Sequence, residues 1–440
     1  MSDLTSAGAE VRGCLATLLI VAVCSTLSCS REPSASSNDA NIDSAISHGI
    51  ENPDSGNASA AATIVSRGKY LTDAANCVSC HTRAGNPLFA GGVAFNTSAG
   101  TLYSSNITPD RETGIGKWSR EDLRRAMHEG VGLGGERLYP AFPYISFTKI
   151  SDKDVDDIYA YLRTIAPVRY TPPANDFLFR QRWGLLFWND LFFTPGRFQQ
   201  RQQRSQEWNR GAYLVEGFGH CGACHSPRNL LLAEITTNAY SGGGFEEKVA
   251  DGKTRRWSGV NLTQSPAGLG AWSLTDIAMY LKTGVSRRAG SFGPMNEVIV
   301  NSLRHLTDDD IHAMAIYLKS LPSQQSEFTR PTTEDFKVGA SIYKSRCEEC
   351  HLSSGRGGMF NGPPLAGSAV VQADDPASLI NIILYGANSP SEVSLGLWET
   401  MKGYQDGLND NEIAELCNYI RRSWGNQASV ITAKNVKQQR

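Results

Sequence analysis

Three five-residue units stand out by residue type and spacing: Cys77-Val-Ser-Cys80-His81, Cys221-Gly-Ala-Cys224-His225 and Cys347-Glu-Glu-Cys350-His351. Two thiols three positions apart share one side of a helical turn, so each can add to one vinyl group of the same porphyrin. The adjacent His then reaches the iron. The spacing therefore predicts three covalently bound haem c groups. Cys77, Cys80, Cys221, Cys224, Cys347 and Cys350 are the expected attachment points, and His81, His225 and His351 the proximal iron ligands. Zinc or dithiol chemistry is the competing reading of Cys-x-x-Cys. It fits less well, because the pairs lie whole domains apart, each carries a His, and no βαβ pattern surrounds them.

A carrier haem needs a second protein ligand, whereas an open position permits substrate chemistry. Thioether sulfur favours ferrous iron, so a Met just ahead of each repeat's last helix is the expected partner. Met295 in Gly293-Pro-Met295-Asn and Met401 in Glu399-Thr-Met401-Lys fit for the second and third haems. Met279 and Met314 read as parts of helical apolar faces, and Met359 lies too near its motif. The first repeat has Phe142 where the ligand is expected, in Tyr139-Pro-Ala-Phe142-Pro-Tyr144. Met127 is the preferred substitute. His128 is the alternative, and a vacant position with Phe142 packed on the porphyrin is a third. His48, His220, His305 and His312 read as surface or supporting residues.

These residues need three similar scaffolds. A length of 440 residues suits roughly three domains. Each motif follows a helix carrying a Gly: Gly68-Lys-Tyr70-Leu71, Gly211-Ala-Tyr213-Leu214 and Gly339-Ala-Ser-Ile342-Tyr343. Each repeat closes on an amphipathic helix with acidic residues at its start and basic residues at its end: Asp154 to Arg163, Asp310 to Lys319, Asn411 to Arg421. Ser119 and Ser273 are helix-start signals in matching stretches of the first two repeats. With no strong alternating strand pattern, the expected fold is mainly α, with three tandem class I-like cytochrome c domains. Their expected spans are 63–169, 208–324 and 325–428, with a tail at 429–440.

Arg12 and the apolar run Cys14–Cys24 read as a signal segment, 1–29. Thr26-Leu-Ser-Cys29 loosely matches a lipobox; lipidation of Cys29, ordinary cleavage and an uncleaved anchor all place the mature chain on the periplasmic side of the bacterial cytoplasmic membrane, and N-terminal anchoring or lipidation is the expected attachment. Residues 30–62, rich in Ser, Asn, Ala, Asp and Pro, read as a flexible tether. The connecting segment 170–207 is unusually aromatic, with Trp183-Gly-Leu-Leu-Phe-Trp188 at its centre. It reads as domain packing, with a docking or membrane-surface element as the sharper option. Cys417 reads as a buried small hydrophobe. The net charge of -2, with both signs dispersed, argues against nucleic acid as a partner.

The chain resembles the three-haem cytochrome c subunits of bacterial membrane-bound dehydrogenases from Gly68 to Asn426. The resemblance rests on stretches such as Tyr103-Ser-Ser-Asn-Ile-Thr-Pro109, Gly114-Ile-Gly-Lys-Trp118, Leu138-Tyr-Pro-Ala-Phe-Pro-Tyr144 and Ser423-Trp-Gly-Asn426. It implies Met295 and Met401 as axial ligands, supports Met127, and implies a dehydrogenase catalytic subunit of flavin, quinone or molybdopterin type as partner. Electrons would pass on to ubiquinone or a terminal oxidase. Relatives of the alcohol-dehydrogenase type often carry a C-terminal amphipathic anchor, which Ile431–Arg440 does not offer. No separate catalytic constellation is visible. The rival classes are a peroxidase-like haem enzyme at the first site, motivated by Phe142, and a multihaem storage or docking protein without a fixed partner.

Overall fold

In the computed structural model, which describes residues 55–97, 100–177, 182–248, 253–324, 336–358, 361–387 and 398–440, a glycine stands at each of three helix crossings. Helix α1 (Ser55–Ala74) leads into the first motif helix, α2 (Cys77–His81). Then come α3 (Arg120–Glu129), α4 (Tyr144–Phe147), the closing helix α5 (Asp152–Leu162), and α6 (Gly184–Phe192) in the connecting segment. The second repeat runs through α7 (Gln206–Tyr213), the motif helix α8 (Gly222–His225), α9 (Leu274–Thr283), α10 (Pro294–Asn301) and the closing helix α11 (Asp308–Lys319). The third holds α12 (Lys337–Arg346), α13 (Glu348–His351), α14 (Ala369–Gln372), α15 (Ala377–Tyr385) and the closing helix α16 (Asp410–Arg422), followed by α17 (Ala433–Gln439).

At the crossings, a Cβ on Gly68 would stand 1.9 Å from the Asp157 carbonyl oxygen, one on Gly211 1.9 Å from that of Ala313, and one on Gly339 2.1 Å from that of Glu415. Tyr161, Tyr317 and Tyr419 meet the same three glycines. The same backbone-to-backbone approach thus recurs in all three repeats. The closing helices are capped by Ser151, Thr307 and Asn409, and capping boxes at Ser119 and Ser273 start α3 and α9 where the sequence signals put them.

One apolar core runs through the first two repeats, including Leu71, Ile158, Phe218, Ile311 and Leu318. A second, from Tyr343 to Val436, belongs to the third. The reason lies in four positions. Arg67 holds Asp154 and Asp157, while the Tyr70 hydroxyl crosses to Asp310 of the other repeat. Arg210 makes a bidentate contact to Asp310 at 2.7 Å, and the Tyr213 hydroxyl crosses back to Asp154. Each phenol oxygen also accepts a backbone N–H, from Thr307 at 3.2 Å and from Ser151 at 2.9 Å. The third repeat has Val338 and Ser341 where Arg67 and Tyr70 stand, so it cannot join this exchange. It attaches instead along a hairpin of the second repeat, through Ser258 and Ser378, which bond reciprocally at 2.9 and 3.1 Å, and Asn381 to the Arg256 carbonyl at 2.7 Å.

Burial alone would raise the pKa of Asp310, but hydrogen bonds from Arg210 and Tyr70 outweigh it and hold the carboxyl below its usual range. A depressed carboxylate stabilises the fold above its unfolded pKa and loses that contribution as pH falls through the folded value. We therefore expect the joint of the first two repeats to hold unchanged down to about pH 4 and weaken only below it. Asp310→Asn should cost about 1–3 kcal/mol at neutral pH and flatten the acid limb of the unfolding curve, measured by calorimetry across pH.

Among the described residues, five short strands accompany the helices. β1 (Ala94–Thr97), β2 (Gly100–Tyr103) and β3 (Asp176–Phe177) form an antiparallel sheet in sequence order, and β4 (Gly243–Lys248) pairs with β5 (Thr254–Gly259). None was expected from the sequence. Two boundaries also differ from expectation. The stretch read as tether is helical from Ser55 onward, and the segment read as a tail carries α17, with Val436 fully buried against the third core. The remainder of the expected leader and tether, and Met359, lie outside the described residues.

Candidate haem-binding sites

Each motif helix is placed by the helix before it. α1 and α12 turn directly into α2 and α13, whereas α7 continues through Leu214–Phe218 as a wider, π-type turn before Cys221. Such turns frequently mark functional sites, and no residue pattern in the sequence signals this one.

All three histidines are pinned alike. Nδ1 of His81 lies 2.7 Å from the Ser105 carbonyl oxygen, that of His225 2.7 Å from Val260, and that of His351 2.8 Å from Pro363. A carbonyl only accepts, so Nδ1 carries the proton in each ring and Nε2 presents a bare lone pair. The backbone is fixed too: the His81, His225 and His351 carbonyls accept from the N–H groups of Gly91 at 2.7 Å, Gly242 at 2.9 Å and Gly357 at 3.0 Å. Burial lowers the pKa of all three rings, which keeps them neutral near pH 7. A neutral, oriented imidazole is what a metal ligand requires.

The thiols point away from dithiol redox chemistry. Burial pushes Cys77 and Cys221 up to about 12 and Cys80 and Cys347 up to about 11, and raises Cys224 and Cys350 as well. Redox-active pairs instead have depressed values. None of the six is in a disulfide, and among the described residues no cluster of three or more His, Cys, Asp or Glu side chains is arranged to hold a metal ion. The zinc reading thus finds no support there. Glycines let the chain come close at the second and third motifs: a Cβ on Gly259 would stand 2.3 Å from the Cys224 carbonyl oxygen, and one on Gly362 3.3 Å from Cε1 of His351.

The methionines differ in setting. Met295 opens α10 after Gly293, where an added Cβ would meet the Trp257 ring at 2.6 Å; its side chain is half-buried against the shared core. Met401 is half-buried against the third core, with its carbonyl accepting from Ala387 N–H at 3.1 Å. Met127 is buried on the core face of α3, in the same apolar cluster as Phe142 and Phe147. His128, one residue on, is also buried, and neither ring nitrogen has a hydrogen-bond partner. Its Nδ1 lies 3.7 Å from an Asp152 oxygen, and burial pushes its pKa down to about 4. Phe142 packs edge-on against Phe147, which in turn meets the ring of His220 just ahead of Cys221.

Of the other candidates, Met314 is buried in α11, but Met279 lies on the solvent side of α9, at 37% exposure, rather than on an apolar face. His312 faces solvent, and His305 bonds the Val300 carbonyl. Cys417 is fully buried, as expected of a small apolar residue.

Residues 65–166 match the model of the cytochrome c family, and residues 334–420 match that of the cytochrome c oxidase, cbb3-type, subunit III family. Cytochrome c domains carry covalently bound haem c, which the pinned histidines and adjacent thiols suit. The chain is 38% identical to the gluconate 2-dehydrogenase cytochrome c subunit of Pantoea cypripedii, over 85% of this chain and 88% of that one. It is 35% identical to the alcohol dehydrogenase (quinone) cytochrome c subunit of Gluconobacter oxydans (strain 621H), over 86% and 82%. It is 41% identical to a nicotinate dehydrogenase subunit of Pseudomonas putida over 82% of this chain, but spans only 30% of that relative's length. Likeness of this extent, together with the helix crossings and the repeated histidine geometry, shows that the chain belongs to the family of dehydrogenase cytochrome c subunits.

Proposed function

We propose that the chain is a tri-haem electron carrier that takes electrons from a dehydrogenase catalytic subunit and passes them to ubiquinone or a terminal oxidase. One observation carries this reading: the Nδ1-to-carbonyl bond recurs at His81, His225 and His351, including the second repeat, which lies outside residues 65–166 and 334–420. Haem, when bound, would supply one-electron redox chemistry at its iron. The chain's residues supply attachment through Cys77 and Cys80, Cys221 and Cys224, and Cys347 and Cys350. They orient the imidazoles of His81, His225 and His351, and Met127, Met295 and Met401 would supply the second ligands. The partner's cofactor, on this reading, is of flavin, quinone or molybdopterin type; the relatives are named as subunits of dehydrogenases of gluconate, alcohol, fructose and nicotinate. The haem domains cover 63–169, 208–324 and 325–428, the first extended by the start of α1 from Ser55 and the last by α17. The N-terminal segment holds the chain at the periplasmic face of the membrane.

Mass spectrometry of the mature protein should show three haem-sized increments, and Cys221→Ala with Cys224→Ala should remove one. A wild-type mass with only two increments would end the tri-haem reading. A stable complex with a dehydrogenase subunit should accompany purification from native membranes.

The first site allows a sharper test. Met127→Leu should open one of three irons to rapid carbon monoxide binding, while His128→Ala should leave all three closed; stopped-flow absorbance reads both. Rapid binding by the unsubstituted protein would overturn Met127 as the ligand and favour a haem enzyme at that site.

A further inference from the structure

Helix α6 turns an apolar face outward. Trp183, Leu186, Phe187 and Leu191 are 61%, 48%, 65% and 67% exposed, at helical spacings of three and four residues. Beside it runs a second apolar element, Leu230–Leu232, whose exposures are 101%, 58% and 45%. The two are one surface, because the Trp188 indole N–H donates to the Leu231 carbonyl at 2.8 Å. The helix is held from below. Tyr144 donates its hydroxyl to Asn189 at 2.7 Å and packs edge-on against Phe193, and Arg182 reaches the Arg137 carbonyl at 2.6 Å. Solvated proteins seldom expose so many large apolar groups together.

We propose that α6 and Leu230–Leu232 form a bilayer-seating surface that dips into the lipid headgroup region. The occupant follows from the chain outside the described residues. The apolar run Cys14–Cys24 and Cys29 precede Ser55 in the sequence by no more than residues 30–54. A connection of that many residues limits how far the folded body can stray from a membrane that its N-terminus enters. An apolar surface on a body already tethered to a bilayer adds buried apolar area to the hold of its anchor. Aromatic rings beside leucines suit the interfacial zone. Asp190 stands among the outward residues of α6, so insertion stops at headgroup level. Position gives the surface a purpose. α6 packs on the loop carrying Phe142, and Leu230–Leu232 follows Cys224 and His225, so seating brings the first two haem sites to the side from which a lipid-soluble acceptor approaches. The inference rests on the N-terminal anchoring proposed above.

The test uses the full, haem-loaded chain carrying a nitroxide at Leu231→Cys, on vesicles of phosphatidylethanolamine and phosphatidylglycerol. Identically treated unsubstituted protein supplies the background, and Cys417 is too buried to label. On vesicle-bound protein the label should gain collisions with oxygen and lose them with a water-soluble nickel chelate. Adding Phe187→Glu should restore chelate access without changing the haem spectrum. A label that stays chelate-accessible on bound protein overturns the seating surface while leaving anchoring intact. Failure to bind vesicles at all overturns both. Shielding that needs a dehydrogenase subunit and no vesicles makes the patch a subunit interface and overturns the lipid reading. Haem content and reduction, read on the same samples, keep the carrier reading separate from each outcome.

Discussion

Replacing Gly339 by Ala should lower the melting temperature of the third repeat by about 10–20 °C and leave the first two unmoved. The added Cβ would stand 2.1 Å from the Glu415 carbonyl oxygen, 2.6 Å from its carbon and 2.9 Å from the Tyr419 Cβ. All three neighbours are backbone or the root of a side chain, so no rotamer change relieves the clash. α12 and α16 must move apart by more than an ångström, at an overpacking cost of about 3 kcal/mol. A domain's whole stability is roughly 5–15 kcal/mol, so this is a large fraction. Calorimetry of the holo-protein reads it as a separated early transition. Gly184→Ala is the control, since nothing lies within 4 Å of its added Cβ. An unshifted transition in Gly339→Ala would mean that the helices do not meet as described.

Deleting residues 429–440 should unfold the third repeat outright. Arg421 is fully buried with no carboxylate on it. Its guanidinium bonds the Val371 and Ala373 carbonyls at 2.8 and 2.9 Å and the Ser429 carbonyl and hydroxyl at 2.8 and 3.1 Å. Burial pushes its pKa down to about 10, so it stays charged at neutral pH. Asn418 both donates to and accepts from Ile431, at 2.9 and 2.7 Å. Losing the segment strips half the partners of a buried cation, which costs about 3–5 kcal/mol. Exposing the contacts of Ile431 and Val436 adds roughly 1.5–3 kcal/mol for each. Together these match the stability of a small domain. Hydrogen exchange should show fast exchange through α14, α15 and α16 with α1 to α11 still protected; native protection throughout would show the segment to be dispensable.

Much of this was legible beforehand, and the misses have physical causes. The thiol and imidazole spacings, the caps at Ser119 and Ser273 and the closing helices are local features, set by a few adjacent residues. β4 and β5 were not legible because their cross-strand partners are charged, Glu246 against Arg256 and Glu247 against Arg255. Such pairs stabilise a ribbon without giving it an apolar face, and the face is what alternation detects. α17 buries mainly Val436, too little for an amphipathic signal. Met279 shows the opposite failure: an apolar residue at helical spacing that its neighbours leave 37% exposed. The setting of Met127 depended on where α3 packs, and the bare Nε2 positions depended on carbonyls 12 to 35 residues away in the chain.

The exchange of tyrosines between the first two repeats bears on ancestry. Equivalent residues that reach across to each other's partners are what two identical molecules make about a two-fold axis. Tyr70 to Asp310 and Tyr213 to Asp154 keep that pattern inside a single polypeptide. The leading pair therefore has the form of a homodimer whose protomers were joined by gene fusion, with the third copy, lacking the arginine and the tyrosine, appended along a separate seam.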